Sequence, residues 1–199
     1  MQGNCLDPPH VPCFIAQFVN SFHSQNLGIS IGVGTEIPLR WKVPWPDCIK
    51  VNFDGTTFPK GLELGARVVA RDASGACVAW LSRRFNMLGD VEIAEAMAAR
   101  EVIHLSLQRG RSSIIIKGDC ATLIHKLQAS EQDLSVVGPV IISIWELASC
   151  FCSRSFQFVK QSCNVVAHYL AQVARSSAEG GHDAPPAVAS LVNADISRE

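Results

Sequence analysis

Charge is scarce in this chain and almost self-cancelling: 17 Lys and Arg face 18 Asp and Glu, for a net charge of -1. That total does not advertise a polyanion as a partner. Between Cys48 and Ser176 the balance tips, with 14 Lys and Arg against 11 Asp and Glu, a surplus of 3. So mild an asymmetry is compatible with a phosphate-binding groove and proves none. Long apolar runs are missing too. No stretch approaches the ~18 residues of a membrane span, so no membrane partner is expected. The eight cysteines are irregularly spaced, include no Cys-x-x-Cys pair and follow no signal peptide. They read as reduced thiols in an intracellular protein, with nucleus or cytoplasm left open. Cys5, His10, Cys13 and His23 match no common zinc-finger spacing. What is present is hydrophobic content of 48% over 199 residues. This predicts one folded domain of ordinary size, with ragged ends and a core that needs no staples.

Residues 1–40 carry scattered apolar positions, Pro8-Pro9 and the glycines from Gly28 to Gly34, without sustained periodicity. They are expected to be a leader or the remnant of an upstream region. The domain is predicted over 41–176, entered through the stiff segment Trp41 to Pro46. The tail 177–199, with Gly180-Gly181 and Pro185-Pro186, is expected to be disordered. Ile49 to Asp54 alternates, with Val51 and Phe53 on one face and Lys50, Asn52 and Asp54 on the other. Gly65 to Arg71 and Ala76 to Ser82 flank the turn Asp72-Ala73-Ser74-Gly75 and predict a hairpin. From Val91 to Arg109 the pattern is helical, with Ala94, Met97, Ala98, Val102 and Leu105 on one side and Gly110 ending the run. Ser113 to Ile116 reads as a strand buried on both faces. A helix from Asp119 to Gln128, another from Val136 to Phe151 and a strand at Phe156 to Lys160 follow. A last helix, Val165 to Ala174, is capped by Asn164. This order predicts an α/β fold: a mixed five-stranded sheet, three antiparallel strands then parallel ones, flanked by helices.

Three acids stand where a chain would rather have something uncharged. Asp54 ends the first strand, Glu95 borders the apolar stripe of the first helix, and Asp119 follows the doubly buried strand. A carboxylate taken out of water costs several kcal/mol unless cations or hydrogen bonds compensate it. Three converging would repel one another, raise their own pKa values and call for a divalent metal, the arrangement used in phosphodiester chemistry. Glu95 is hard to explain otherwise, since a first-turn Glu gains from the helix dipole but not from facing Ala98, Ala99 and Val102, whereas other positions have plainer alternatives. Asp54 also fits an ordinary strand end, Asp119 a helix N-cap, His168 a helix-surface histidine, and Trp80 the core rather than a base-stacking platform.

The order of elements and acids resembles the ribonuclease H fold. The closer resemblance is to plant "reverse-transcriptase-like" ribonuclease H domains related to non-LTR retrotransposons. It is carried by the motif Trp41-Lys-Val-Pro44-Trp-Pro-Asp-Cys-Ile-Lys50-Val-Asn52-Phe-Asp54-Gly55 and the turn Arg71-Asp72-x-x-Gly75. Ala94-Glu95-Ala96, Gly118-Asp119 and Asn164-x-x-Ala167-His168-x-Leu170-Ala171 complete it. The resemblance implies that Asp54, Glu95 and Asp119 are catalytic metal ligands for Mg²⁺, with Mn²⁺ as a substitute. It puts His168 at the catalytic position where active ribonucleases H carry a fourth acid. Asn52, Gly55 and Asn164 are implied to bind substrate. The implied activity is endonucleolytic hydrolysis of the RNA strand of RNA–DNA hybrids by a monomer. The alternative is a weak or inactive nucleic-acid-binding or interaction module of the same origin.

Overall fold

Alternation in the first strand decides the layering. A computed structural model of the chain describes residues 44, 45, 47–58, 62–129, 131–173, 179–181, 186, 188–190 and 192. The upstream region 1–40, most of the Trp41–Pro46 entry and the Cys5/His10/Cys13/His23 set lie outside the described residues. Strand β1 (Cys48–Thr57) pairs antiparallel with β2 (Leu64–Arg71), and β2 with β3 (Cys77–Phe85). The hairpin turn forms as its sequence suggests: Asp72 Oδ1 accepts from the Ser74 N–H at 2.8 Å and Gly75 takes φ 83°. After helix α1 (Val91–Gln108), strand β4 (Ser113–Gly118) lies parallel to β1, and β5 (Ser153–Phe158) parallel to β4. Helices α2 (Ala121–Ala129) and α3 (Gly138–Ala148) connect those two strands. A 3₁₀ turn at Gln161–Cys163 leads into α4 (Val165–Val173).

The five expected strands are present, and a sixth joins them. Strand β6 (Glu179–Gly181) pairs antiparallel with β3, giving the order β5-β4-β1-β2-β3-β6. It falls in the stretch expected to be disordered, where Val188 and Val192 are also buried, 1% and 2% exposed. The Gly180-Gly181 and Pro185-Pro186 pairs hid a short pairing onto the edge of β3.

The sheet separates two apolar layers. Ile49, Val51, Phe53, Ala66, Val68 and Ala70 face α1 and α3. On the other face Val69 and Trp80 meet Val166, Tyr169 and Leu170 of α4, together with Val188 and Val192. Trp80 is therefore core. Helix α1 is buried almost all round from Ala94 to Ala99 because the sheet covers one side and α3 another. Asp90 caps it, accepting from the Ile93 N–H at 2.9 Å, and Gly110 closes it at φ 64°.

Two glycines set how closely these layers approach. A Cβ on Gly55 would run into the backbone of Ala94 and Glu95, and one on Gly118 into the ring of Phe53. Gly55→Ala should therefore cost about 1–3 kcal/mol by overpacking and push α1 off the strand. Chemical denaturation measures it, and an unchanged midpoint would show that the helix gives way freely.

Candidate active site

The three acids come from three elements and meet at one end of the sheet. Asp54 is near the end of β1, Glu95 in the second turn of α1, and Asp119 directly after β4. Each offers a carboxylate oxygen, and these lie within 4.8 Å of one another. Asp54 and Glu95 are buried, 6% and 5% exposed, while Asp119 is half-buried. Parallel pairing of β1 with β4 brings the ends of both strands together, and the close seat at Gly55 lets Glu95 in from above. Asp119 is not the cap of α2. The Ile124 N–H donates to the Cys120 carbonyl, so the helix begins one residue later and leaves Asp119 for the cluster.

Mutual repulsion shows in the protonation of these groups. Burial, then Asp54, then Asp119 push the Glu95 carboxyl up to about 9, against some relief from a Gly55 backbone hydrogen bond. Burial and Asp54 likewise raise Asp119, opposed by hydrogen bonds that include the Asn164 side chain. His168 Nδ1 stands 3.7 Å from Asp54 Oδ1, longer than a good hydrogen bond but close enough for charge to act. Asp54 raises the imidazole's pKa, and burial opposes it.

The cluster suits a hard divalent cation. Glu95 Oε2 is buried and finds no hydrogen-bond donor among the described residues. An ionised oxygen so placed is costly until a cation reaches it. The three grouped ligand atoms are all carboxylate oxygens, the donor type that hard divalent cations take.

A pH dependence follows. Glu95 goes from an ordinary 4.5 to about 9 in the fold. Stability tied to its protonated form is therefore present below about 4.5 and is lost progressively as pH rises towards 9. Melting of the metal-free protein in a chelator should fall between pH 5 and pH 9. Glu95→Gln should flatten that slope and raise the melting point on the alkaline side. A slope unchanged by the substitution would place its origin elsewhere.

Asn52, Gly55 and Asn164, the implied substrate contacts, are all buried. Asn164 Nδ2 donates to the Phe53 carbonyl at 2.7 Å, and Asn52 Nδ2 donates to Asn164 Oδ1 at 3.1 Å. The Asn164 carbonyl accepts the His168 N–H at 3.0 Å, so its backbone starts α4 as expected while its side chain braces β1. Sequence reading missed this brace, as well as the buried guanidinium of Arg67. The only sequence signal for the latter was a charged residue at an inward position of an otherwise apolar strand.

A mixed sheet with an acid on β1, one on the first helix and one after β4 defines the ribonuclease H-like class of α/β proteins. The chain belongs to the reverse transcriptase-like family, whose model matches residues 52–174. Among solved structures it is similar to RNase H1 from the halophilic archaeon Halobacterium salinarum: 18% identity, TM-score 0.58, covering 62% of this chain and 93% of that one. It is also similar to LC11-RNase H1 in complex with an RNA/DNA hybrid, at 16% identity and TM-score 0.55, covering 61% of this chain and 92% of that one. A third is the N-terminal RNase H domain of a Mycobacterium tuberculosis protein, at 14% identity and TM-score 0.55, covering 64% and 98%. At these identities the likeness is one of fold. No curated protein matches the chain.

Proposed function

We propose that this protein is a divalent-metal-dependent endonuclease that hydrolyses the RNA strand of RNA–DNA hybrids. We further propose that it works as a monomer, in nucleus or cytoplasm, and descends from the plant domains related to non-LTR retrotransposons. The observation that carries the reading is the convergence of Asp54, Glu95 and Asp119 within 4.8 Å. These three would hold the metal, Mg²⁺ or Mn²⁺ by their hard oxygen donors. When bound, the metal supplies an activated water for attack on phosphorus and stabilises the leaving 3′ oxygen. Everything else is work for the chain's own residues. Asn164 and Asn52 fix the backbone around Asp54, Gly55 gives Glu95 its approach, and His168 flanks Asp54 from α4. Backbone-directed contacts imply weak sequence preference, and the 2′-hydroxyl distinguishes RNA from DNA.

One observation favours a second reading, a module that binds nucleic acid and cleaves poorly. His168, raised by Asp54, sets a cation against the cluster at mildly acidic pH. Cleavage of a labelled RNA–DNA hybrid, double-stranded DNA and double-stranded RNA by the purified full chain in Mg²⁺ separates the two. The expected result is metal-dependent cutting of the hybrid's RNA strand alone. Tight hybrid binding without cleavage would install the second reading.

A further inference from the structure

We propose that Arg67 is a positioning residue for the last helix: from within the sheet it holds the carbonyl end of α4, and with it the station of His168 beside Asp54. Arg67 is fully buried, 0% exposed, in the middle of β2. Its register partner across the sheet is Asp54, so both side chains lie on the face that α4 covers. An apolar residue would be the ordinary choice there, between Val69 and the Tyr169–Leu170 side of α4. The guanidinium instead spreads over three carbonyls. Nε donates to the Leu170 carbonyl at 3.3 Å, and Nη1 donates to the Ala66 carbonyl at 2.8 Å and the Arg83 carbonyl at 3.2 Å.

The Leu170 bond matters because of where it falls. Leu170 lies in the last turn of α4 as described, Val165–Val173, two residues beyond His168. The opposite end of α4 is held by Asn164, through the Phe53 carbonyl and Asn52. His168 lies between the two tethers, four residues after the first and two before the second. A planar fork can hold a helix carbonyl and two sheet carbonyls at once. A lysine ammonium on a flexible stem cannot reproduce that span, so the two residues are not interchangeable here.

The tether stands independently of the nuclease reading, while its meaning for catalysis rests on that reading. The test is therefore run on metal-free protein. Amide hydrogen exchange is compared in wild type, Arg67→Lys and Arg67→Met, alongside the imidazole NMR signals of His168, identified by their loss in His168→Gln. In Arg67→Lys the α4 amides should exchange on the order of tenfold faster, the loss of one charge-assisted hydrogen bond. Amides of β1 and α1 should keep their rates, and the His168 signals should move towards those of a solvated histidine. Unchanged α4 exchange, or equal acceleration in every element, would overturn the proposal. So would unmoved His168 signals. If neither variant folds, the wild type decides under mild denaturant: α4 and β2 must open together, and independent opening of α4 at lower denaturant rejects the tether. Cleavage assays on the same samples then bear on the nuclease reading alone.

Discussion

Asp54→Asn should abolish hybrid cleavage, by on the order of a thousandfold or more, while the protein stays folded. The carboxylate is central to the cluster: it raises both Glu95 and Asp119, and it is the group that faces His168. An amide keeps its shape but brings no charge to the metal. Several kcal/mol of transition-state stabilisation go with that charge, at 1.36 kcal/mol per decade of rate. Stability should move the other way or hardly at all. Without Asp54 the remaining pair repels less, against the lost attraction to His168. Melting of metal-free Asp54→Asn is therefore expected to equal or slightly exceed wild type on the alkaline side. Cleavage by the mutant at the wild-type rate would assign the activity to a contaminant. A mutant that fails to fold would make Asp54 a structural acid.

His168→Asp should lower the Mg²⁺ concentration for half-maximal activity and remove the acid limb of the pH profile. The imidazole is a poor partner for a hard cation, and Asp54 raises its pKa above the ordinary 6.5. Protonated, it sets a positive charge 3.7 Å from Asp54 Oδ1. A unit charge at about 4 Å in a half-buried setting is worth up to ~4 kcal/mol at an effective dielectric near 20. Added repulsion among four acids offsets part of it. About 2 kcal/mol is left, or roughly thirtyfold in Mg²⁺ requirement. The sign with pH follows: in wild type the opposing cation fades as pH rises through the raised pKa, so activity should climb with pH there. In the variant that climb should vanish. Identical metal and pH curves for the two proteins would reduce His168 to a bystander on the helix.

What the sequence showed and what it concealed divide by the range of the interactions. Period-two alternation around Phe53 and the helical spacing from Ala94 to Leu105 are local, and both appear where expected. The acids were legible for the same reason. Each broke a local apolar pattern, and only a converging fold explains three such breaks. The pieces that stayed hidden are long-range. Asn164 reads as a cap because that is what asparagine does before a helix. Its side chain instead reaches Phe53, 111 residues away in sequence. Arg67 reads only as a charge interrupting an apolar strand until β2 is known to be covered by α4. Strand β6 carries no propensity of its own and exists because β3 offers it a row of open hydrogen bonds.

That last strand separates two boundaries that usually coincide. The family match ends at residue 174, yet backbone pairing resumes at Glu179 and buried side chains continue to Val192. The stretch of chain that the family shares is thus shorter than the stretch that completes the solid. A version trimmed to the match would keep all three acids and expose the flank of β3, together with the apolar ground beneath Val188 and Val192. Such a flank is a template for a neighbour's strand, so solubility and activity would part company in it.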